Sequence, residues 1–373
     1  AEEIINDSEI DIIIEMIGGE TVAKELILKA IKNKKHIVTA NKSLLATTAN
    51  ELFRAAAENG VDIAFEASVG GCIPIIKTIR ESLVCDRIDS MIGILNGTCN
   101  YILSKITNEK TSFEDALGQA KKNGFAEADP YLDIKGIDTA HKTAILTALA
   151  HGIHINYDNI YVEGISSITP MDIEFAEQFG YRIKLLSIIK NLGNAVEARV
   201  HPTMLPINNI ISKVNGSLNA VAISGDAIGN MLLCGHGAGM MPTANAVMSD
   251  VVDISRNIIF KTVGRIPLLP YDSDKTKDLP ILPIEKISTH YYFRFSAIDR
   301  PKVLSKISGV LGYHGISIKS VHQKGRREEQ AVPVVMMTHT AKESEVKKAL
   351  AEISSLDIVS GKPVVIRIED KQM

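Results

Sequence analysis

Apolar and polar positions follow two grammars in succession along the chain. Residues 10–14 (I-D-I-I-I) form a nearly continuous β-branched run that closes in Gly18-Gly19, the pattern of a strand covered on both faces. Residues 21–33 place Val22, Leu26, Ile27 and Ala30 at helical spacing. A strand at 36–39, a helix at 43–58 and a strand at 61–65 follow. Strand–helix alternation at this spacing predicts βαβ units around a parallel sheet. Residues 1–70 therefore read as part of a doubly wound, Rossmann-like α/β unit.

From Pro74 that alternation is lost. Helical patterns at 74–83, 98–106, 113–123 and 137–150 mix with strands at 87–95, 160–165 and 197–205, which predicts an α+β segment over 71–239. The run G-H-G-A-G at 235–239 reads as a flexible loop before a helix reaching about residue 257. Residues 240–265 are expected to return to the parallel-sheet unit. Proline and charge cluster between 267 and 283, so 266–288 is assigned as a linker. The tail, 289–373, shows strands at 291–298, 316–323, 331–338 and 364–368 and helices at 301–313 and 343–354. That is the βαββαβ order of ferredoxin-like domains, read as a separate unit.

Composition narrows the classes. A chain of 373 residues can build two or three domains with real cores. A net charge of −3 leaves no electrostatic footprint for nucleic acid. No apolar run reaches the ~18 residues of a membrane span. Ala1-Glu2-Glu3 lacks the basic start and apolar core of a secretory signal. Cys72, Cys85, Cys99 and Cys234 show neither C-x-x-C spacing nor a His partner, as expected of reduced thiols in the cytoplasm. The chain opens without Met just ahead of a buried-looking strand, so it is expected to be a fragment.

Four stretches carry candidate chemistry. In G-I-L-N-G-T-C-N-Y-I-L (93–103) an apolar strand stops at Asn96-Gly97-Thr98 and restarts as a helix capped by Thr98. Such a turn offers backbone N–H groups at a sheet rim, or is a plain connection. Lys42, in T-A-N-K at a strand end, can meet a carboxylate or phosphate, or be a solvated lysine at a helix start. The segment G-F-A-E-A-D-P-Y-L-D-I-K-G-I-D-T-A-H-K (124–142) concentrates Glu127, Asp129, Asp133 and Asp138, then puts Lys142 one helical turn beyond Asp138. That pair is either a surface i,i+4 bridge or a proton-transfer site. A fourth stretch, E-A-S-V-G-G-C-I-P (66–74), follows a strand with two glycines, so its carbonyls can turn toward a ligand or a hard cation; the plainer alternative is a Gly-rich βα turn. No G-x-G-x-x-G occurs anywhere.

Taken together, the order E-M-I-G-G, T-A-N-K, E-A-S-V-G-G, N-G-T, acidic loop, D-x-x-x-K and G-x-G-A-G-x-x-P-T resembles the homoserine dehydrogenase family over essentially the whole chain. The resemblance implies a reversible, NAD- or NADP-dependent interconversion of L-homoserine and L-aspartate 4-semialdehyde, on the route to threonine, methionine and isoleucine. By matched position, Lys142 would exchange the proton at the substrate oxygen, assisted by Asp138. Glu127, Asp138 and Thr98 would hold the substrate. Lys42, Asn41, Gly18 and Gly239 would contact the cofactor. Glu66, Val69, Gly71 and Ile73 would bind a sodium or potassium ion, largely through backbone oxygens.

The tail, with D-R-P-K-V-L (299–304) and G-I-S-I (315–318), is similar to an ACT domain. This implies an amino-acid effector, threonine in the first instance, near Asp299, Gly315 and Ile316, and a homodimer or homotetramer. Lys302 and Cys72 stand where the family usually has glycine. The family's Gly-rich phosphate loop, with the residue that separates NAD from NADP, is expected to precede Ala1. Two alternatives stay open: another amino-acid dehydrogenase of similar architecture, or an amino-acid-sensing protein without turnover.

Overall fold

The computed structural model describes residues 1–269, 279–323 and 331–370. After α1 (Glu2–Asn6), the chain runs through β1 (Ile12–Glu15), α2 (Thr21–Lys32), β2 (His36–Thr39), α3 (Lys42–Asn59) and β3 (Ile63–Ala64). The strands pair in parallel in the order β1-β2-β3. Every residue of β2 is buried, as a strand between two helical layers requires. Asn41 starts α3 by accepting the Leu44 N–H at 3.1 Å, and Gly60, at φ +65°, ends it.

Next come α4 (Ile75–Lys77), β4 (Ile88–Ile94), α5 (Gly97–Glu109), α6 (Phe113–Lys122), α7 (Tyr131–Ile134) and α8 (Ile137–His151). They are followed by β5 (Tyr161–Val162), α9 (Pro170–Gln178), β6 (Tyr181–Asn191), β7 (Val196–Pro206), β8 (Leu218–Gly225) and β9 (Gly229–His236). Then α10 (Met240–Ile259) returns to the parallel sheet, burying Val247 and Ile254 against Val38. The pattern at 74–83 resolves into the short α4 and a π-helical turn at Thr78–Ser82.

The tail contains β10 (Ser288–Ile298), α11 (Val303–Tyr313), β11 (Ile318–Gln323), β12 (Ala331–Thr338), β13 (Ala341–Lys342), α12 (Glu343–Ser354) and β14 (Val364–Ile368). Its order β11-β12-β10-β14 is the ferredoxin-like one, over a core of its own built on Phe293, Phe295, Ile307 and Ile353. It is not detached, however. β14 pairs in parallel with β7, Arg367 opposite Thr203, so one eleven-stranded sheet runs from the tail through β7-β6-β4-β8 to β9. Of the linker 266–288, residues 270–278 lie outside the described ones. Beyond them Pro280 and Leu282 bond both backbone groups of Val196, at 2.9 and 2.8 Å.

Two local expectations are corrected. Gly235 and His236 belong to β9, so only 237–239 remain as a turn. The cap of α5 is Asn96, which accepts the Cys99 N–H at 2.8 Å, while the Thr98 hydroxyl donates to the Phe125 carbonyl instead. Gly97 is glycine for clearance: a Cβ there would lie 2.7 Å from the Ser217 carbonyl oxygen. Among the described residues no helix is long and apolar enough to cross a membrane.

Candidate active site

The strand–turn–helix unit β4–α5 sets one wall of a cleft, and the start of α8 sets the floor. Asn96 uses its amide oxygen as the cap of α5, which leaves its Nδ2 free to donate to Asp133 Oδ1 at 2.7 Å and Asp138 Oδ2 at 2.8 Å. One turn into α8, the Lys142 ammonium donates to Asp138 Oδ2 at 2.8 Å and to the Leu95 carbonyl at 2.7 Å. Lys42, at the first position of α3, reaches the other oxygen of Asp138 at 3.1 Å. Asp138 and Lys142 are both buried, so the surface-bridge alternative falls.

The electrostatics follow from this packing. Burial alone would raise the Asp138 carboxyl, but the charges of Lys142 and Lys42 and the bonds from Lys142 and Asn96 outweigh it and hold the group ionised, well below the usual carboxylate range. Asp138 in turn raises the Lys42 ammonium. Asp133 moves the other way, raised by burial and then by the neighbouring charge of Asp138. Cys99, whose thiol donates to the Asp133 carbonyl, is pushed well up by burial and is an inert thiol here.

The cleft, about 410 Å³, gathers Lys42, Thr98, Glu127, Asp138, Lys142 and Gly239. Six residues selected from widely separated sequence positions thus share one cavity. Asn41 and Gly18 stand behind its edge: Asn41 Nδ2 donates to the Gly19 carbonyl at 2.7 Å. Buried Glu15, absent from the sequence candidates, fixes that glycine turn by accepting the N–H groups of Ile17 and Gly18 and the Thr39 hydroxyl. The sequence marks Asn96 and Asp133 only as turn and acidic-run residues; a cap position does not reveal what its amide nitrogen will bridge.

None of the other candidates lines the cleft. Gly70 and Gly71 have φ of +78° and +60°, and Gly71 packs so closely against His236 and Gly237 that a Cβ would meet them at 2.6–2.8 Å. The Glu66 carboxylate accepts the N–H groups of Ile76 and Lys77 at 2.9 and 2.8 Å, which holds it against α4. The carbonyls of Glu66 and Ile73 each accept one backbone N–H, from Val69 and Ile75, and keep a second lone pair. Among the described residues no group of three or more His, Cys, Asp or Glu could hold a metal, so a cation in this turn would be one suited to carbonyl oxygens. In the tail, Asp299 accepts from Gln323 Nε2 at 3.2 Å, Gly315 has φ +71°, and the Ile316 side chain is buried in the core, leaving only its backbone for an effector.

Comparison with known proteins is consistent over the whole length. Residues 74–252 match the family described as homoserine dehydrogenase, residues 1–66 its NAD binding domain, and residues 291–357 the ACT domain. The homoserine dehydrogenase of Pseudomonas aeruginosa is 46% identical over 98% of this chain and 85% of its own length. The crystal structure of a homoserine dehydrogenase from Thiobacillus denitrificans superposes with a TM-score of 0.93 at 46% identity, covering 99% of this chain and 84% of that one. A hyperthermophilic archaeal homoserine dehydrogenase in complex with NADPH aligns with a TM-score of 0.60 at 28% identity, over 69% of this chain and 75% of that one.

Proposed function

Since the chain belongs to the homoserine dehydrogenase family, oxidoreductases that interconvert L-homoserine and L-aspartate 4-semialdehyde with a nicotinamide cofactor, we propose that Lys142 is the group that exchanges the proton at the reacting oxygen. The observation that carries this is the placement of its ammonium, aimed by Asp138 and the Leu95 carbonyl in the same cleft as Lys42 and Glu127. In the reductive direction the ammonium donates a proton to the aldehyde oxygen. In the oxidative direction the neutral amine takes the hydroxyl proton as the C–H bond breaks and the carbonyl forms. Hydride exchange at that carbon is the chemistry a bound nicotinamide supplies.

Asp138 acts first as the anchor that aims Lys142. A substrate ammonium can compete for its outer oxygen, where Lys42, the more exposed lysine, now sits. Glu127 and Asp133 add negative charge to the same wall, and Thr98 ties the 125–127 segment to α5. Lys42, Asn41, Gly18 and Gly239 are assigned to the cofactor side. The NADPH complex of the archaeal relative makes NADP the first form to assay, with NAD beside it. A sodium or potassium ion is assigned to the carbonyls of Glu66, Val69, Gly71 and Ile73. Threonine is assigned as the ACT effector, at Asp299, Gly315 and Ile316, in a homodimer or homotetramer.

The test is Lys142→Ala in the full-length protein. Loss of proton transfer lowers kcat about 100-fold or more with a modest change in KM. Turnover near that of the unsubstituted protein would return the pair to a structural bridge.

A further inference from the structure

One amide at the back of the cleft has hydrogen-bonding capacity that nothing around it uses. Asn219 lies on β8, paired with Gly235 of β9, and lines the cleft although only 1% of it reaches solvent. Its Oδ1 is buried with no hydrogen-bond partner among the described residues. An unpaired buried acceptor is penalised in the empty protein and relieved by any bound group that donates to it.

The packing around the amide is built from residues without side chains. A Cβ on Gly237 would fall 1.8 Å from Asn219 Nδ2 and 2.5 Å from Oδ1, so only glycine lets that turn pass. On the other side, a Cβ on Gly97 would come within 3.7 Å of Oδ1. The two turns thus enclose the amide without satisfying its oxygen. This is a cradle for a group that arrives from the cleft.

Charge within the cleft says which group. Glu127, Asp133 and Asp138 suit an ammonium, and Lys142 suits the reacting oxygen. The wall that carries Asn219, made with Ser217, His236, Gly237, Ala238 and Gly239, holds no carboxylate and no lysine. A neutral amide that is both donor and acceptor is best matched by a neutral carboxamide, which carries the complementary pair whichever way the Asn219 amide is turned.

From this we infer that Asn219 pairs with the primary carboxamide of the nicotinamide ring and so fixes which edge of the ring enters the cleft. The inference rests on the cleft being the place of hydride exchange. It makes Asn219 a cofactor-recognition residue on β8, beside the turn at Gly97.

The experiment measures equilibrium binding to the full-length protein, without turnover, of NADPH and of the reduced 3-acetylpyridine analogue, which replaces the carboxamide NH2 by methyl. The unsubstituted protein is expected to prefer the carboxamide form about tenfold, the worth of one hydrogen bond to a buried acceptor. In Asn219→Ala that preference falls to near one, through weaker binding of the carboxamide form alone. Asn219→Ser provides the same comparison should the alanine variant melt early. An undiminished preference in a folded variant overturns the inference, as does a rise confined to the KM of the amino-acid substrate. Lys142→Ala separates this from the proton-transfer assignment: it should lose turnover and keep the carboxamide preference.

Discussion

At the scale of single residues, the site is organised by how few polar groups are left to find water. Asn96 satisfies an α5 N–H with one end of its amide and two carboxylates with the other. Glu66 is the second such residue, and it carries a pH signature. Burial, with a smaller push from Asp250, raises its carboxyl from 4.5 to about 7 despite the N–H groups of Ile76 and Lys77. A folded-state value above the unfolded one means that the native protein keeps a proton the unfolded chain has lost. The stabilisation is therefore full below pH 4.5 and is lost as pH rises through about 7. At ~1.4 kcal/mol per unit its size is about 3 kcal/mol. Denaturant midpoints from pH 4.5 to 7.5 should show Glu66→Gln gaining on the unsubstituted protein as pH rises. Parallel curves would mean that Glu66 ionises as freely in the fold as outside it.

At the scale of elements, two glycines of similar appearance in the sequence have opposite prospects. Gly97 begins α5 with the Ser217 carbonyl 2.7 Å from where a Cβ would sit, and backbone cannot swing aside as a side chain can. Gly97→Ala should displace the Asn96 cap and loosen the Asp133–Asp138 bridge, costing about 1–3 kcal/mol and raising the substrate KM. Gly118, inside α6, has nothing within 4 Å of a Cβ, so Gly118→Ala should stabilise by up to ~1 kcal/mol. Urea midpoints of the two variants moving in the same direction would contradict this account. The same contrast explains what could be read in advance. The helices α2, α3 and α6 and the strand β2 follow from apolar patterning, with Asn41 and Ser112 as local caps of α3 and α6. The acidic loop and Asp138–Lys142 were legible because a four-residue spacing fixes one helix face. The strands β6, β8 and β9 were not. β6 is buried along most of its length and so shows no alternation, and β8 and β9 are defined by each other across a hairpin rather than by their own pattern. Helix α9 did carry a signal, Thr169-Pro-x-Asp172, the capping box with Pro at its first position that the structure contains. Burial of Asn219 between two distant turns has no local trace at all.

At the scale of the whole molecule, the tail reads in the sequence as a unit that could be cut away, and the structure argues against cutting it. Tyr292, Val335, Met337, Ile366 and Ile368 of the tail belong to the main apolar core rather than to the tail's own. Two arginines tie the halves together. Arg294 grips Asp172 of α9 through Nε at 2.6 Å and Nη2 at 3.0 Å, with the Tyr292 hydroxyl on the same carboxylate. Arg367 joins Glu343 of α12 to Glu163, whose N–H bonds Val200, and the next residue, Gly164, lies against the 134–135 backbone just ahead of α8. Deletion after Lys286 would strip β14 from β7, uncover that core and remove the arginine partners of Asp172 and Glu163. The truncated chain is therefore expected to aggregate or melt well below the full-length protein, and its lost activity would say nothing about regulation. Feedback has to be tested by a substitution that leaves the sheet intact. Asp299→Ala removes a half-buried carboxylate beyond β10 without touching a strand pairing, so basal turnover should stay near that of the unsubstituted protein, while under the proposed threonine assignment the concentration for half-inhibition rises about tenfold, the ~1.5 kcal/mol of one charged hydrogen bond. An unchanged response to threonine in that variant would move the effector away from Asp299, and a truncated chain that stayed soluble and active would show that the continuous sheet is not what holds the catalytic half together.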